Sequence, residues 1–275
     1  MTDAGFATSS DGTRIAFTRH GDETRPPILL IHGWAQQSVC WQPVTERLSD
    51  RFFVVAMDLR GHGASDKPSH DAAYTDTRLW GDDVKAVMDA TGLQRPVLTG
   101  WSYASRVIAA HVATYGDAHL SGIVLAGGIL AIGRMREDWM VGPASPGLDR
   151  DLYTDDIPRR LAATVRFVDA CTARPLDRRT FAELVGANML CPAHVRRALF
   201  GADVDLRPVY ASLGCPGLVI HGTADAVVSP ETGRTTANLL PRGLHRPYDG
   251  VGHAPFLEEA DRFAADVAEF LSACR

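Results

Sequence analysis

Ser102 stands in the pentapeptide Gly100-Trp101-Ser102-Tyr103-Ala104, directly after the apolar run Pro96-Val97-Leu98-Thr99 and directly before a helical pattern from Ser105 to Ala113. A serine at a strand-to-helix turn, with small residues two positions away on each side, is a nucleophile elbow. The turn is tight, so bulky flanking side chains would collide with neighbouring backbone. The serine is pushed out at the strand's C-terminal edge with its hydroxyl free to attack. Ala104 stands where glycine is usual, and its extra methyl group asks for a slightly opened turn. A serine hydroxyl is a weak nucleophile until a base takes its proton. The expected base is a histidine oriented by a carboxylate. Both types follow downstream. Ile220-His221-Gly222-Thr223-Ala224-Asp225 places a carboxylate just beyond a strand end, and Asp249-Gly250-Val251-Gly252-His253-Ala254-Pro255 places a histidine in a loop after the last strand.

The elements that must hold these groups are legible in the hydrophobic pattern. Asp11-Gly12 is a hairpin signal between Phe6-Ala7-Thr8 and Ile15-Ala16-Phe17. Short apolar strands are expected at Ile28–Ile31, Phe52–Met57, around Val97, at Gly122–Leu125, at Gly217–Ile220 and near Leu244–Tyr248. Helical spacing separates them: Trp41, Val44 and Leu48; Trp80, Val84, Val87, Met88 and Thr91 with Gly92 as the stop; Thr232–Leu240; and a terminal helix begun by Pro255 with Phe263, Val267, Phe270 and Leu271 on its apolar face. Fully apolar short strands separated by helices imply a parallel sheet covered on both faces. The alternation breaks after Gly128, and residues 129–210 read as a loop followed by helices around Leu161–Cys171, Phe181–Met189 and Val195–Phe200. That stretch is too long for an unstructured loop. The expected architecture is therefore α/β, a doubly wound mostly parallel sheet formed by residues 1–128 and 211–275, with 129–210 as an inserted helical cap over the elbow.

The supporting motifs span the chain: His32-Gly33-Trp34, the stretch Asp58-Leu59-Arg60-Gly61-His62-Gly63-Ala64-Ser65-Asp66-Lys67-Pro68, the elbow, His221 to Asp225, and Gly252-His253. Together they resemble the α/β-hydrolase fold family, in the branch that holds serine esterases, cofactor-free haloperoxidase-like perhydrolases and related C–C and lactone hydrolases. The resemblance implies that Ser102 is the nucleophile, His253 the base and Asp225 its orienting partner. It implies an oxyanion hole from the backbone N–H groups of Tyr103 and Trp34, with the Trp34 ring at the pocket mouth. The same triad serves ester hydrolysis, perhydrolysis and C–C cleavage, so these alternatives stay open, with cleavage of a small or medium carboxylic ester, thioester or lactone the first expectation. Nothing in the sequence favours a non-catalytic ligand receptor. Trp139 and Met140 either line the acyl pocket as substrate-binding residues or simply pack helices together.

The remaining polar residues read as structural. His32 braces the oxyanion loop, His62 and Arg60 belong to a scaffold loop, and His221 should be buried. Asp82 and Asp83 read as a solvated helix face, and Asp155-Asp156 as a helix N-cap.

Composition narrows the partners. The 275 residues are 45% hydrophobic and carry a net charge of -5, without the clustered Lys and Arg that nucleic acid demands. Cys40, Cys171, Cys191, Cys215 and Cys274 have no metal-ligand spacing. They suit reduced thiols in a cytoplasm, with Cys40 a buried small hydrophobe near the site. No signal peptide is expected, and the longest apolar run, Gly122 to Gly133, is too short to cross a bilayer. A small-molecule substrate, no cofactor, no metal, no nucleic acid and no membrane are expected, with a homo-oligomer left open.

Overall fold

The computed structural model describes residues 3–274. Strands β1 (Asp3–Thr8) and β2 (Arg14–His20) form the expected antiparallel hairpin. They are followed by β3 (Pro27–Ile31), β4 (Phe53–Met57), β5 (Val97–Trp101), β6 (Gly122–Ala126), the short β7 (Ala131–Ile132) and β8 (Val204–Asp205), then β9 (Gly217–Gly222) and β10 (Gly243–Tyr248). One eight-stranded sheet runs in the order β1-β2-β4-β3-β5-β6-β9-β10. The β1–β2 and β2–β4 pairings are antiparallel and the rest are parallel. This is the doubly wound, mostly parallel α/β sheet that the sequence pattern implies.

Every residue of β4, β5 and β6 is buried, because helices cover both faces and leave no polar side to the strand. Helix Thr77–Thr91 packs on helix Ala104–Tyr115, and helix Gln42–Leu48 packs on helix Ala260–Ala273. The first of these starts where the Asp76 side chain accepts from the Arg78 N–H at 2.9 Å and stops at Gly92, whose φ of 67° takes the left-handed turn that glycine permits. β10 is a true strand in which only Tyr248 is buried, as an edge position allows. The terminal helix departs from expectation. It is split into Pro255–Glu258 and Ala260–Ala273, with Glu259 out of helical geometry between them.

The site's position follows from the winding. From β3 the chain moves outward to β4, then returns past β3 to β5. Connections leaving two neighbouring parallel strands in opposite directions open a crevice at the strands' C-terminal ends, where ligands bind in such sheets. β3 delivers His32-Gly33-Trp34 to this crevice and β5 delivers Ser102, with Ile31 and Gly100 in register beside one another.

Between β6 and β9 lies the inserted segment. Its helices run Ile157–Ala170, Arg178–Leu190 and Ala193–Ala198. Asp156 caps the first by accepting from the Arg159 N–H at 3.1 Å, while Asp155 pairs with Arg197. The β7–β8 ribbon ties the two ends of the segment together, and the Leu206 N–H donates to the Leu130 carbonyl at 2.9 Å.

Asp82 and Asp83 correct the sequence reading. Neither is solvated: Asp83 is fully buried and Asp82 nearly so. Arg60, also fully buried, donates from Nε and Nη2 to the two Asp83 oxygens at 2.7 and 2.6 Å, and from Nη1 to Asp11 at 2.9 Å. Asp82 accepts from Ser10 and from the Tyr115 hydroxyl. The scaffold loop thus stakes a guanidinium under helix Thr77–Thr91. Removing one member of a buried pair strands the other charge, at a cost of about 3–5 kcal/mol. Asp83→Ala is expected to lower unfolding free energy by about that amount in urea titration, far more than Asp89→Ala, whose salt bridge with Lys85 is exposed.

Candidate active site

Ser102 has φ +54°, a left-handed conformation unusual for a residue with a Cβ. Such backbone costs about 1–3 kcal/mol and persists where its surroundings enforce it. Here the Ser102 N–H donates to the Ala126 carbonyl of β6 at 2.9 Å, and the Ser105 hydroxyl donates to the Ser102 carbonyl at 2.8 Å. The elbow is therefore held from both ends. A Cβ on Gly100 would come within 2.8 Å of Ile108 and 2.9 Å of the Ala104 methyl. Gly100 thus leaves the room that the unusual Ala104 occupies. A Cβ on Gly33 would sit 3.2 Å from the Ser102 Cβ, so the β3 loop presses directly on the elbow.

The Asp225 carboxylate is buried and fully engaged. Oδ1 accepts from the Val227 and Val228 N–H groups at 2.8 and 2.9 Å. Oδ2 receives His253 Nδ1 at 2.8 Å and His221 Nε2 at 2.9 Å. Burial alone would favour the neutral acid. The two imidazoles outweigh it through charge and hydrogen bonding, and hold the carboxyl well below the usual carboxylate range. With an Nδ1–H on Asp225, the imidazole form of His253 that carries one proton has Nε2 free as a proton acceptor. Sequence reasoning expected His221 to be buried, and it is, but its grip on the same oxygen was not foreseen. The only signal is its place four residues before Asp225.

Ser102 and His253 line one cavity, together with Trp34, Trp101 and Tyr103. Ser102 keeps 9% of its surface accessible. Its hydroxyl and His253 Nε2 make no hydrogen bond to each other or to another protein group among the described residues. Such contacts commonly tighten only with a reacting group in place. The backbone N–H groups of Trp34 and Tyr103 likewise find no protein acceptor among the described residues. Trp34 follows the end of β3, and Tyr103 belongs to the elbow after the adjacent β5.

Supporting contacts explain the fixed loops. His32 donates from Nδ1 to the Gly33 carbonyl at 2.7 Å and accepts the Leu59 N–H on Nε2 at 3.0 Å. His62 donates to the Arg60 carbonyl and accepts the Ala35 N–H at 3.1 Å. Burial lowers the pKa of both rings, that of His62 strongly. Each is a neutral brace whose two nitrogens are used for structure. Trp101 Nε1 donates to the His253 carbonyl at 2.8 Å. Glu258, which ends the short helix, accepts the Gly252 N–H at 2.7 Å and the Ala173 and Arg174 N–H groups at 3.1 Å each. The histidine loop is thereby fastened to both the sheet and the inserted segment.

The rest of the cavity wall is largely apolar. Phe167 and Phe200 of the inserted segment pack near Trp34, with ring centroids 5.3 and 6.0 Å away. Arg196, fully buried, lies over the Trp34 ring at 5.3 Å. Burial without a carboxylate partner pulls its pKa down to about 10, and carbonyls of Leu152, Asn188 and Cys191 accept its protons. Trp139 and Met140 do not line this cavity. Trp139 is exposed, its indole N–H on Glu137 at 2.8 Å, and Met140 is buried in packing. A one-turn 3-10 segment carries both and turns them away. Ile129, Ala131, Ile132, Val227 and Val228 provide the wall instead. Cys40 is buried outside the cavity, and burial raises its thiol pKa well above the usual value. No cluster of metal-ligating side chains occurs among the described residues, and no helix there is long and apolar enough to cross a membrane.

A family model described as alpha/beta hydrolase fold matches residues 26–260. The chain belongs to the α/β-hydrolase fold family. Among solved structures, this α/β-hydrolase superposes on the esterase RhEst1 from Rhodococcus sp. ECU1013 with a TM-score of 0.94 and 34% identity, covering 99% of each chain. It is 32% identical to a pimeloyl-[acyl-carrier protein] methyl ester esterase of Stenotrophomonas maltophilia, over 90% of this chain and 93% of that protein. It is 28% identical to the bifunctional esterase/perhydrolase DCH of Acinetobacter calcoaceticus, over 97% and 99%.

Proposed function

We propose that this α/β-hydrolase is a serine esterase that cleaves a small or medium carboxylic ester through an acyl-enzyme. The observation that carries the reading is the left-handed Ser102 sharing one cavity with a His253 already oriented by Asp225. The esterases among its relatives support it. Ser102 Oγ attacks the ester carbonyl while His253 Nε2 takes its proton. The oxygen that gains negative charge is received by the Trp34 and Tyr103 N–H groups, which need not reorganise to meet it. His253 then protonates the departing alkoxide. Water, deprotonated by the same ring, releases the acid and restores Ser102. Asp225 keeps the proton on Nδ1 throughout and stabilises the imidazolium. An inserted segment that brings Phe167 and Phe200 to the cavity acts as a cap that excludes water and selects the acyl or aryl group.

The test is pre-steady-state kinetics with p-nitrophenyl esters of graded chain length, with lactones and thioesters beside them. A burst of p-nitrophenol stoichiometric with enzyme is expected wherever deacylation is the slower step, with the acyl adduct on Ser102 in intact-mass and peptide spectra after acid quench. Turnover with no adduct at Ser102 under any quench would refute the acyl-enzyme. The similarity to an esterase/perhydrolase motivates one further arm: hydrogen peroxide competing with water for the same adduct would yield peracid.

A further inference from the structure

Arg136 is the cationic side chain on a wall otherwise made largely of apolar groups. It lines the cavity that holds Ser102 and His253, together with Ser145 and Pro146. Its guanidinium lies over the 145–147 turn: Nη1 reaches the Ser145 hydroxyl at 3.5 Å, and a Cβ on Gly147 would be 2.9 Å from Nη2. Among the described residues it has no carboxylate partner. The neighbouring charges are already satisfied. Glu137 is taken by Arg207 and by the Trp139 indole, and Arg134 is taken by Asp203. A guanidinium presents a planar fork suited to a carboxylate. The protein as a whole carries a net charge of -5, so long-range attraction does not favour an anion. A local cation at the cavity can.

We propose that Arg136 binds a carboxylate carried by the substrate at a distance from the scissile ester, so that the preferred substrates are anionic esters such as monoesters of dicarboxylic acids. This rests on the esterase reading above and adds its substrate class. The apolar wall between Arg136 and Ser102 takes the hydrocarbon spacer, and chain length sets the register of the ester against the nucleophile. Ser145 supplies a second polar contact beside the guanidinium.

The experiment compares monomethyl esters of the C4 to C8 dicarboxylic acids with their dimethyl esters, and acetyl esters of ω-hydroxy acids with their methyl esters, on wild type, Arg136→Gln and Arg136→Lys. The expected result is a kcat/KM preference for the charged member in one of the two sets, reduced about tenfold in Arg136→Gln and partly kept in Arg136→Lys, with neutral esters changed less than twofold. Added salt should weaken the preference in wild type and in Arg136→Lys, and leave Arg136→Gln unchanged. A wild type that favours the neutral esters, or a glutamine variant that loses charged and neutral activity alike, would overturn the proposal while leaving the esterase reading intact. Binding gives a readout independent of turnover: the half-amides of the same diacids should stabilise wild type against heat and not Arg136→Gln. If no ester is cleaved yet this binding difference appears, the esterase reading fails and the anion site survives.

Discussion

Ser102→Ala is expected to lower kcat toward p-nitrophenyl esters by about 10⁴- to 10⁶-fold and to abolish labelling by a fluorophosphonate probe. Without Oγ the covalent route is closed. On the proposed mechanism, what remains is the polarising effect of the Trp34 and Tyr103 N–H groups and the proximity of a water to His253, which would sustain only slow general-base hydrolysis. The substitution is structurally mild. Alanine keeps the Cβ that the φ of +54° already tolerates, and the backbone contacts to Ala126 and Ser105 do not involve Oγ. The melting temperature should therefore move by no more than a few degrees, so that lost activity cannot be blamed on unfolding. A variant that still turned over and still took the probe would show that another residue is the nucleophile.

The legibility of this site in sequence follows from how local each determinant is. Ser102 could be read because the elbow is written in five consecutive residues between a strand and a helix. Asp225 and His253 could be read because each directly follows a strand end, where the winding of a parallel sheet gathers its loops. The sheet itself could be read because strands buried on both faces have no polar side. Non-local pairing was beyond reach. Helical periodicity places Asp83 on helix Thr77–Thr91, but nothing nearby announces that a guanidinium from position 60 will meet it. The cavity wall was obscure for a related reason. A 3-10 turn has no long apolar face to read, so Trp139 and Met140 looked equivalent to the residues that do line the cavity. Arg136 lies in the same irregular stretch, where its lack of a carboxylate partner among the described residues emerges only after Glu137 has been claimed by an arginine 70 residues away.

Asp225→Asn should be the second most damaging substitution, lowering kcat by about 10⁴-fold, as the same change does in serine proteases, while leaving the fold largely intact. The reason lies in the count of donors and acceptors. The wild-type carboxylate accepts from two backbone N–H groups on Oδ1 and from two imidazoles on Oδ2. Asparagine has one accepting oxygen and one donating NH₂. Turning the NH₂ toward Val227 and Val228 would oppose donors to donors at fixed backbone positions. The oxygen therefore stays there, and the NH₂ faces His253 Nδ1. That nitrogen must then accept, which shifts the ring proton to Nε2, the atom that the proposed mechanism needs to take the proton from Ser102. The base is intact in shape and wrong in tautomer. Acid should not reproduce this state in wild type until well below pH ~4, the ordinary range for a carboxyl, because the two histidines hold Asp225 ionised beneath it. Measuring kcat across pH, with ¹⁵N NMR of the imidazoles to read the tautomer, tests both halves of the argument. An asparagine variant with near-normal turnover, or with its Nδ1 still protonated, would move the orienting role away from Asp225.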